Sequence, residues 1–308
     1  MSYELRQDEK LGDGLRRICR KQIENALAVA AGKKETDDTP VHQTRKHLKK
    51  ARAALRLVRK EIGRGLFERQ DCCLREAGHL ISDIRDAEVR LQTVRQLQGI
   101  TQRGGRGVYR ELEKMLMLEL ENFLMAFAEW QTQAIAILEE AKAATDCWEL
   151  DDFSCKQMRR AIQATYKSGS NALAEARETR TAAKFHQFRI EAKTLWYQLR
   201  ILRPINPVVL NSLADDLNAL GDLLGRAHDL QFLEERLRNE TGKSPWQREG
   251  HTLVAVIEVS AVDLQRAAAE LGERFFSERP RDFGARVAAW LDDWTSGKSS
   301  SIAEALVS

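Results

Sequence analysis

The sequence predicts an all-α protein, folded as two antiparallel four-helix bundles that arose by internal duplication. Three observations carry this. Apolar residues recur at helical spacing along nearly the whole chain of 308 residues, and Pro occurs only 5 times. Turn-forming stretches cut the pattern into eight long segments joined by short links, the signature of antiparallel bundles. Three successive segments of the first half also align with three of the second at nearly constant offset.

In chain order, helices are expected over 3–32, 41–62, 66–98, 107–145, 151–178, 181–203, 208–240 and 246–278, with a shorter one over 281–295. "GKKETDDTP" ends the first, and "GITQRGGRG" separates the third from the fourth, whose length invites a kink or split. "RPINP" closes the sixth and "TGKSPW" opens the eighth. A Ser-rich stretch follows the last helix. The expected organisation is a first bundle over 1–147, a second over 148–296 and a flexible tail over 297–308.

The duplication is visible residue by residue. "CRKQIENALA" from Cys19 aligns with "TYKSGSNALA" from Thr165, at an offset of 146. "LREAGHLISDIRDAEV" from Leu74 aligns with "LNALGDLLGRAHDLQF" from Leu217, at an offset of 143. Between them lie the most basic segments. His42, Arg45, Lys49, Arg52, Arg56 and Arg59 follow one another at gaps of 3, 4, 3, 4 and 3, and His186, Arg189, Lys193, Arg200 and Arg203 each lie 144 positions after a counterpart. Arg52 corresponds to Trp196, so that rung is cationic in one half only.

Gaps of three and four place these cations in one row, where a coiled coil would carry Leu. On each helix the apolar seam sits one position away, at Leu48, Ala51, Leu55 and Val58, and at Phe188, Ala192, Leu195 and Leu199. One position is about 100° of rotation, so the cations border the core rather than oppose it. From Val41 to Gly63 there are eight Lys and Arg against one Glu, although the whole chain carries a net charge of only +3. Burying such a row without partners costs several kcal/mol per ion. The arrangement of lowest energy is a groove or channel wall open to water and ready for a polyanion. Further basic positions join on alignment: Arg20 and Lys21 with Lys167 in the first helix of each half, and Arg85 with His228, each followed by an Asp (Asp86, Asp229).

The pattern H-x-x-R-x-x-x-K, present as His42-Arg45-Lys49 and again as His186-Arg189-Lys193, resembles the signature of CHAD domains, named for a histidine-containing α-helical domain. "IRDAEV" and "AHDLQF" look like that family's second motif in each half. The resemblance spans roughly residues 5 to 295. It implies two four-helix bundles related by a pseudo-twofold axis around a basic central groove or pore that binds inorganic polyphosphate. Many relatives join this domain to a triphosphate-tunnel (CYTH) domain. The sequence shows no E-x-E-x-K strand pattern, and a stand-alone CHAD protein is expected. The strongest candidates to bind polyphosphate are then His42, Arg45, Lys49, Arg52, Arg56, His186, Arg189, Lys193 and Arg200. Arg20, Lys21, Arg59, Arg85, Lys167, Arg203 and His228 are secondary.

Other classes fit less well. Glu76-x-x-His79 is half of a di-iron pattern, but its aligned position carries Ala219 and Asp222. A metal held through bound phosphate stays open as an alternative; no resident metal or other cofactor is expected. "RGGRG" lacks the G-K-[ST] ending of a phosphate-binding loop, so no enzyme activity is expected. Nucleic acid is the main alternative ligand. Aromatic residues make up only 6%, however, and no stacking platform accompanies the rows, although Trp196 and Tyr197 stand beside one of them. Five Cys without metal spacing suit free thiols in a reducing compartment. The N-terminus lacks a signal-peptide apolar core, and no run of about 18 apolar residues spans a membrane, so the expected location is cytoplasmic, with association with polyphosphate granules.

Overall fold

In a computed structural model of the chain, the described residues are 3–34, 38–100, 106–240 and 247–297. Among them the secondary structure is entirely helical: α1 (Leu11–Ala30), α2 (Pro40–Leu57), α3 (Arg64–His79), α4 (Ser82–Ile100), α5 (Arg106–Ala126), α6 (Trp130–Asp146), α7 (Cys155–Thr179), α8 (Ala182–Leu202), α9 (Pro207–Glu240), α10 (Gln247–Phe275) and α11 (Pro280–Thr295). A single 3-10 turn, Arg203–Ile205, joins α8 to α9. The tail from 298 onward and the links over 101–105 and 241–246 lie outside the described residues.

Local chemistry sets most boundaries. The Thr39 hydroxyl accepts from the His42 amide at 3.2 Å, and Pro40 supplies the first helical position of α2. Gly63, at φ +82°, makes the sharp entry to α3 that a side chain would resist. A capping box of Ser154 and Gln157 opens α7. Pro207 and Pro280 each begin a helix.

The expected helices differ most from the observed ones at four places, one being the helix over 41–62, which ends at Leu57 and leaves Arg59 beyond α2. The first helix begins at Leu11 rather than residue 3. Residues before it lie against α8 and α2 instead, where the Leu5 amide donates to the Ile201 carbonyl of α8 at 3.0 Å and the Tyr3 hydroxyl to the Lys50 carbonyl of α2 at 3.0 Å. The expected helix over 66–98 breaks into α3 and α4. Just past the break, the Ser82 hydroxyl donates to the His79 carbonyl at 2.8 Å, the local competition for backbone groups by which Ser interrupts helices. The aligned position in the second half is Gly225, and α9 runs through it unbroken for 34 residues. The expected helix over 107–145 divides at Phe127–Glu129 into α5 and α6, where buried Trp130 starts the new helix.

The core is continuous across the two halves. Its largest apolar cluster combines Leu15, Ile18 and Leu55 of the first half with Tyr166, Phe188, Leu199 and Phe283 of the second. A smaller cluster joins α4 and α5 to the distal part of α9 and to α10, through Leu91, Val94, Leu112, Leu233 and Ile257. Helices α2 and α8 pack on each other within the larger cluster, which positions the two basic rows. No described helix is long and apolar enough to cross a membrane.

Candidate anion-binding site

The α2–α8 contact is fastened by polar bonds as well as by packing. The Gln198 side chain donates to the Ala53 carbonyl at 3.2 Å. Arg56 reaches from α2 to Glu191 of α8 at 3.2 Å and to the Thr194 hydroxyl at 3.3 Å. Across this junction Arg189 acts on Arg45, Arg189 and Lys193 act on Lys49, and Lys49 acts on His186, whereas the groups acting on His42 are Asp38, Lys46, Lys49 and Arg85. The largest charge effects on Lys49 come from Arg189, Arg45, Arg85 and Lys193, which belong to α8, α2, α4 and α8.

The electrostatic consequence is mutual. Burial, reinforced by those four cations, pushes the Lys49 ammonium down to about 7. Lys49 nonetheless keeps an exposed surface, so water reaches it and screens part of the repulsion. Burial also lowers Arg45, with Asp86 opposing and Arg85 and Arg189 reinforcing the shift. Lys193 is lowered by burial against the pull of Asp222. His42 is lowered by burial and by Arg85, although Asp38 lies 3.7 Å from its ring. Lys49 and Arg189 make no ion pair with any described residue, and the Arg189 Nε is buried with no hydrogen-bond partner.

Helix α9 forms a flat floor under two of these cations. A Cβ at Gly221 would collide with the Cε of Lys193, and one at Gly225 would sit 3.6 Å from the Arg189 guanidinium. Two glycines inside a helix cost about 1 kcal/mol each relative to Ala. Here they give the side chains of α8 room to lie against the backbone. Lys193 is further held by Asn218 at 3.4 Å, by Asp222 at 3.5 Å and by the Trp196 ring at 4.5 Å. In the first half, Arg45 instead donates to the Gly78 carbonyl at 3.3 Å.

Two of the secondary candidates join the cluster. Arg85 acts on His42, Arg45 and Lys49 while pairing with Glu88 at 3.0 Å. His228 packs on His186 with ring centroids 4.4 Å apart. Asp86 and Asp229 lie within the cluster, and burial raises both carboxyls even though Arg45 acts on the first and Arg189 on the second.

The rest of the expected set lies elsewhere or is otherwise engaged. Arg52 makes a two-point pair with Asp71, at 2.8 and 3.3 Å. Arg56 is committed to Glu191. Arg200 lies over the Trp196 ring at 4.8 Å, the ring that Lys193 also contacts, and acts on Lys193. Arg59 is exposed above Phe67, Lys167 is exposed on α7, and Arg203 pairs with Glu4. Arg20 pairs with Asp146 and Glu24, and Lys21 with Glu24 at 3.1 Å.

One basic group escapes the row logic. Lys50 lies 5.3 Å from the Tyr3 ring centre, and burial together with Arg200, Lys46 and Lys34 pushes it down to about 8. Lys46 and Lys50 lie in the same basic stretch but one position off the row. Only the placement of the segment before α1 brings Tyr3 to Lys50. The described residues contain no group of three or more His, Cys, Asp or Glu able to hold a metal ion.

An all-α fold whose H-x-x-R-x-x-x-K motifs converge on one cationic cluster defines a recognisable class. The chain belongs to the CHAD domain family, whose match covers residues 17–238. Among solved structures it is similar to PptA from Streptomyces chartreusis, with a TM-score of 0.63 at 14% identity, covering 87% of this chain and 99% of that one. It is also similar to the CHAD domain from the plant Ricinus communis, with a TM-score of 0.57 at 21% identity, covering 88% of this chain and 95% of that one. At these identities the two structures speak for the fold. No curated protein sequence matches the chain.

Proposed function

We infer that this protein binds inorganic polyphosphate in a basic central groove lined by α2 and α8, and that it acts by binding, without turning the ligand over. The observation that carries this reading is the surroundings of Lys49. Four cations from three helices dominate its field, yet the side chain keeps contact with water. Both hold for a side chain in a recess, walled by protein on several sides and open on one. Concentrating like charge there is unfavourable in the free protein, and a polyanion relieves it.

The pseudo-twofold arrangement implied by the family gains support from which residues meet. Arg45 feels its aligned counterpart Arg189, and Lys49 feels its counterpart Lys193. Residues near a twofold axis meet their own equivalents in this way. A linear chain with one charge per unit suits two rows whose cations step by about 4.5–6 Å along each helix. Arg provides forked donors to phosphate oxygens and Lys a mobile point charge. In this reading the protein is cytoplasmic and is recruited to polyphosphate granules.

A competition titration at two salt concentrations tests the reading. Long-chain polyphosphate should outcompete both ATP and duplex DNA, and its affinity should fall steeply with salt as counterions are released. If duplex DNA ranks first, the nucleic-acid alternative replaces this one.

A further inference from the structure

The two halves of the cluster are not electrically equivalent. Where α2 faces Arg85, a permanent cation, α8 faces His228, which titrates. His42 has the Asp38 carboxylate 3.7 Å from its ring. His186 has instead the second imidazole, with the centroids 4.4 Å apart, and its Nδ1 is buried with no hydrogen-bond partner. The groups acting on the two rings come from several helices. Lys49 of α2 and Arg189 of α8 act on both, and His186 acts on His228. Asp229, next to His228 in the chain, faces Arg189, Arg85 and Lys49, with Asp86 of α4 beyond. Helices α7 and α10 also pack on α8 and α9, but they place no charge among those acting on either ring.

We propose that the His186–His228 pair makes ligand binding proton-coupled: the pair is uncharged in the free protein and takes up protons from water when polyphosphate enters. This rests on the function inferred above and adds its regulation. Two imidazolium rings in contact, beside Lys49 and Arg189, oppose one another in the empty site. A polyphosphate chain reverses the local sign, and each ring then gains by holding a proton that it donates to a phosphate oxygen. Burial and the neighbouring positive groups already depress both rings, His228 to about 4.

The sign follows from linkage. The bound state holds more protons than the free state, so affinity rises as pH falls. The gain starts at the pKa of the liganded rings, and for His228 it saturates near about 4, where the free ring also charges. Lys49, pushed down to about 7 in the empty site, acts in the same direction. It is separated from the histidines by mutation.

The experiment is isothermal titration of the full chain with long-chain polyphosphate, whose interior phosphates stay ionised throughout. It is run in buffers of different ionisation enthalpy between about pH 6 and pH 8. Uptake of one to two protons per site is expected near neutrality, each worth about tenfold in affinity per pH unit. His228→Arg copies the arrangement of the first half and should lose most of this uptake and flatten the pH profile.

Binding with no proton uptake and a flat profile overturns the coupling while leaving the polyphosphate reading intact. Absence of binding at every pH sinks that reading and the coupling with it. Full uptake retained in folded His228→Arg overturns the assignment to this pair. Ring NMR of the unaltered protein reads the same groups without mutation. Uncharged rings at about pH 7, becoming protonated on addition of polyphosphate, are expected, and rings already charged in the free protein at that pH overturn the proposal.

Discussion

Helix α2 carries one unbroken row of cations, yet its two ends differ. From His42 to Lys49 the row faces mainly other cations, with Asp38 beside His42 and Asp86 acting on Arg45: Arg85 acts on His42, and Arg45, Arg85, Arg189 and Lys193 act on Lys49. From Arg52 to Arg56, one turn further on, the same spacing meets carboxylates. Arg52 is paired with Asp71, and Arg56 with Glu191, which is only 9% exposed. Spacing therefore assigns a residue to a row but not to a role. What the opposing helix presents decides whether a cation is left among other cations or is paired with a carboxylate.

Reversing charge at the open end should have the largest effect. Lys49→Glu with Lys193→Glu places two carboxylates among the remaining cations. We expect polyphosphate affinity to fall by about 100-fold or more, roughly 3 kcal/mol, while the helical circular-dichroism signal and cooperative melting persist. Unchanged affinity in the folded double variant removes the site.

Arg56→Ala is the matching change at the closed end. It leaves Glu191 buried with only the Gln187 amide, at 2.9 Å, still donating to it. A loss of about 3 kcal/mol in unfolding free energy is expected, read by denaturant titration, with affinity changing by less than about threefold. An affinity loss as large as that of the Lys49 and Lys193 variant would erase the distinction between the two ends.

The smallest effect belongs to Arg52→Gln. The Arg52–Asp71 pair is partly exposed, and Arg75 also reaches Asp71, at 3.3 Å. Stability should fall by less than about 1 kcal/mol, and affinity should stay within about twofold.

Much of the fold was legible because helical periodicity is a local property. The cap at Thr39–Pro40 and the helix starts at Pro207 and Pro280 follow from a few neighbouring residues. The breaks at Leu80–Ile81 and Phe127–Glu129 were harder to place, because the apolar pattern runs on through both. The site was legible as two rows whose residues align at 144 positions. Which of those cations are already paired was not, because Arg56 meets a carboxylate 135 residues away and Arg52 one 19 residues away. His228 stood only among the secondary positions, since nothing local shows that it packs on His186.

The sequence by itself determined that the chain is helical, where most helices begin, and that each half presents a row of cations beside its apolar seam. Those properties follow from backbone sterics and a periodicity of 3.6 residues. Only the tertiary structure decided which cations meet one another, which meet Asp71 or Glu191, and that Gly221 and Gly225 clear the floor beneath Lys193 and Arg189. Electrostatic energy depends on distance through space, and packing brings together charges that the chain keeps far apart.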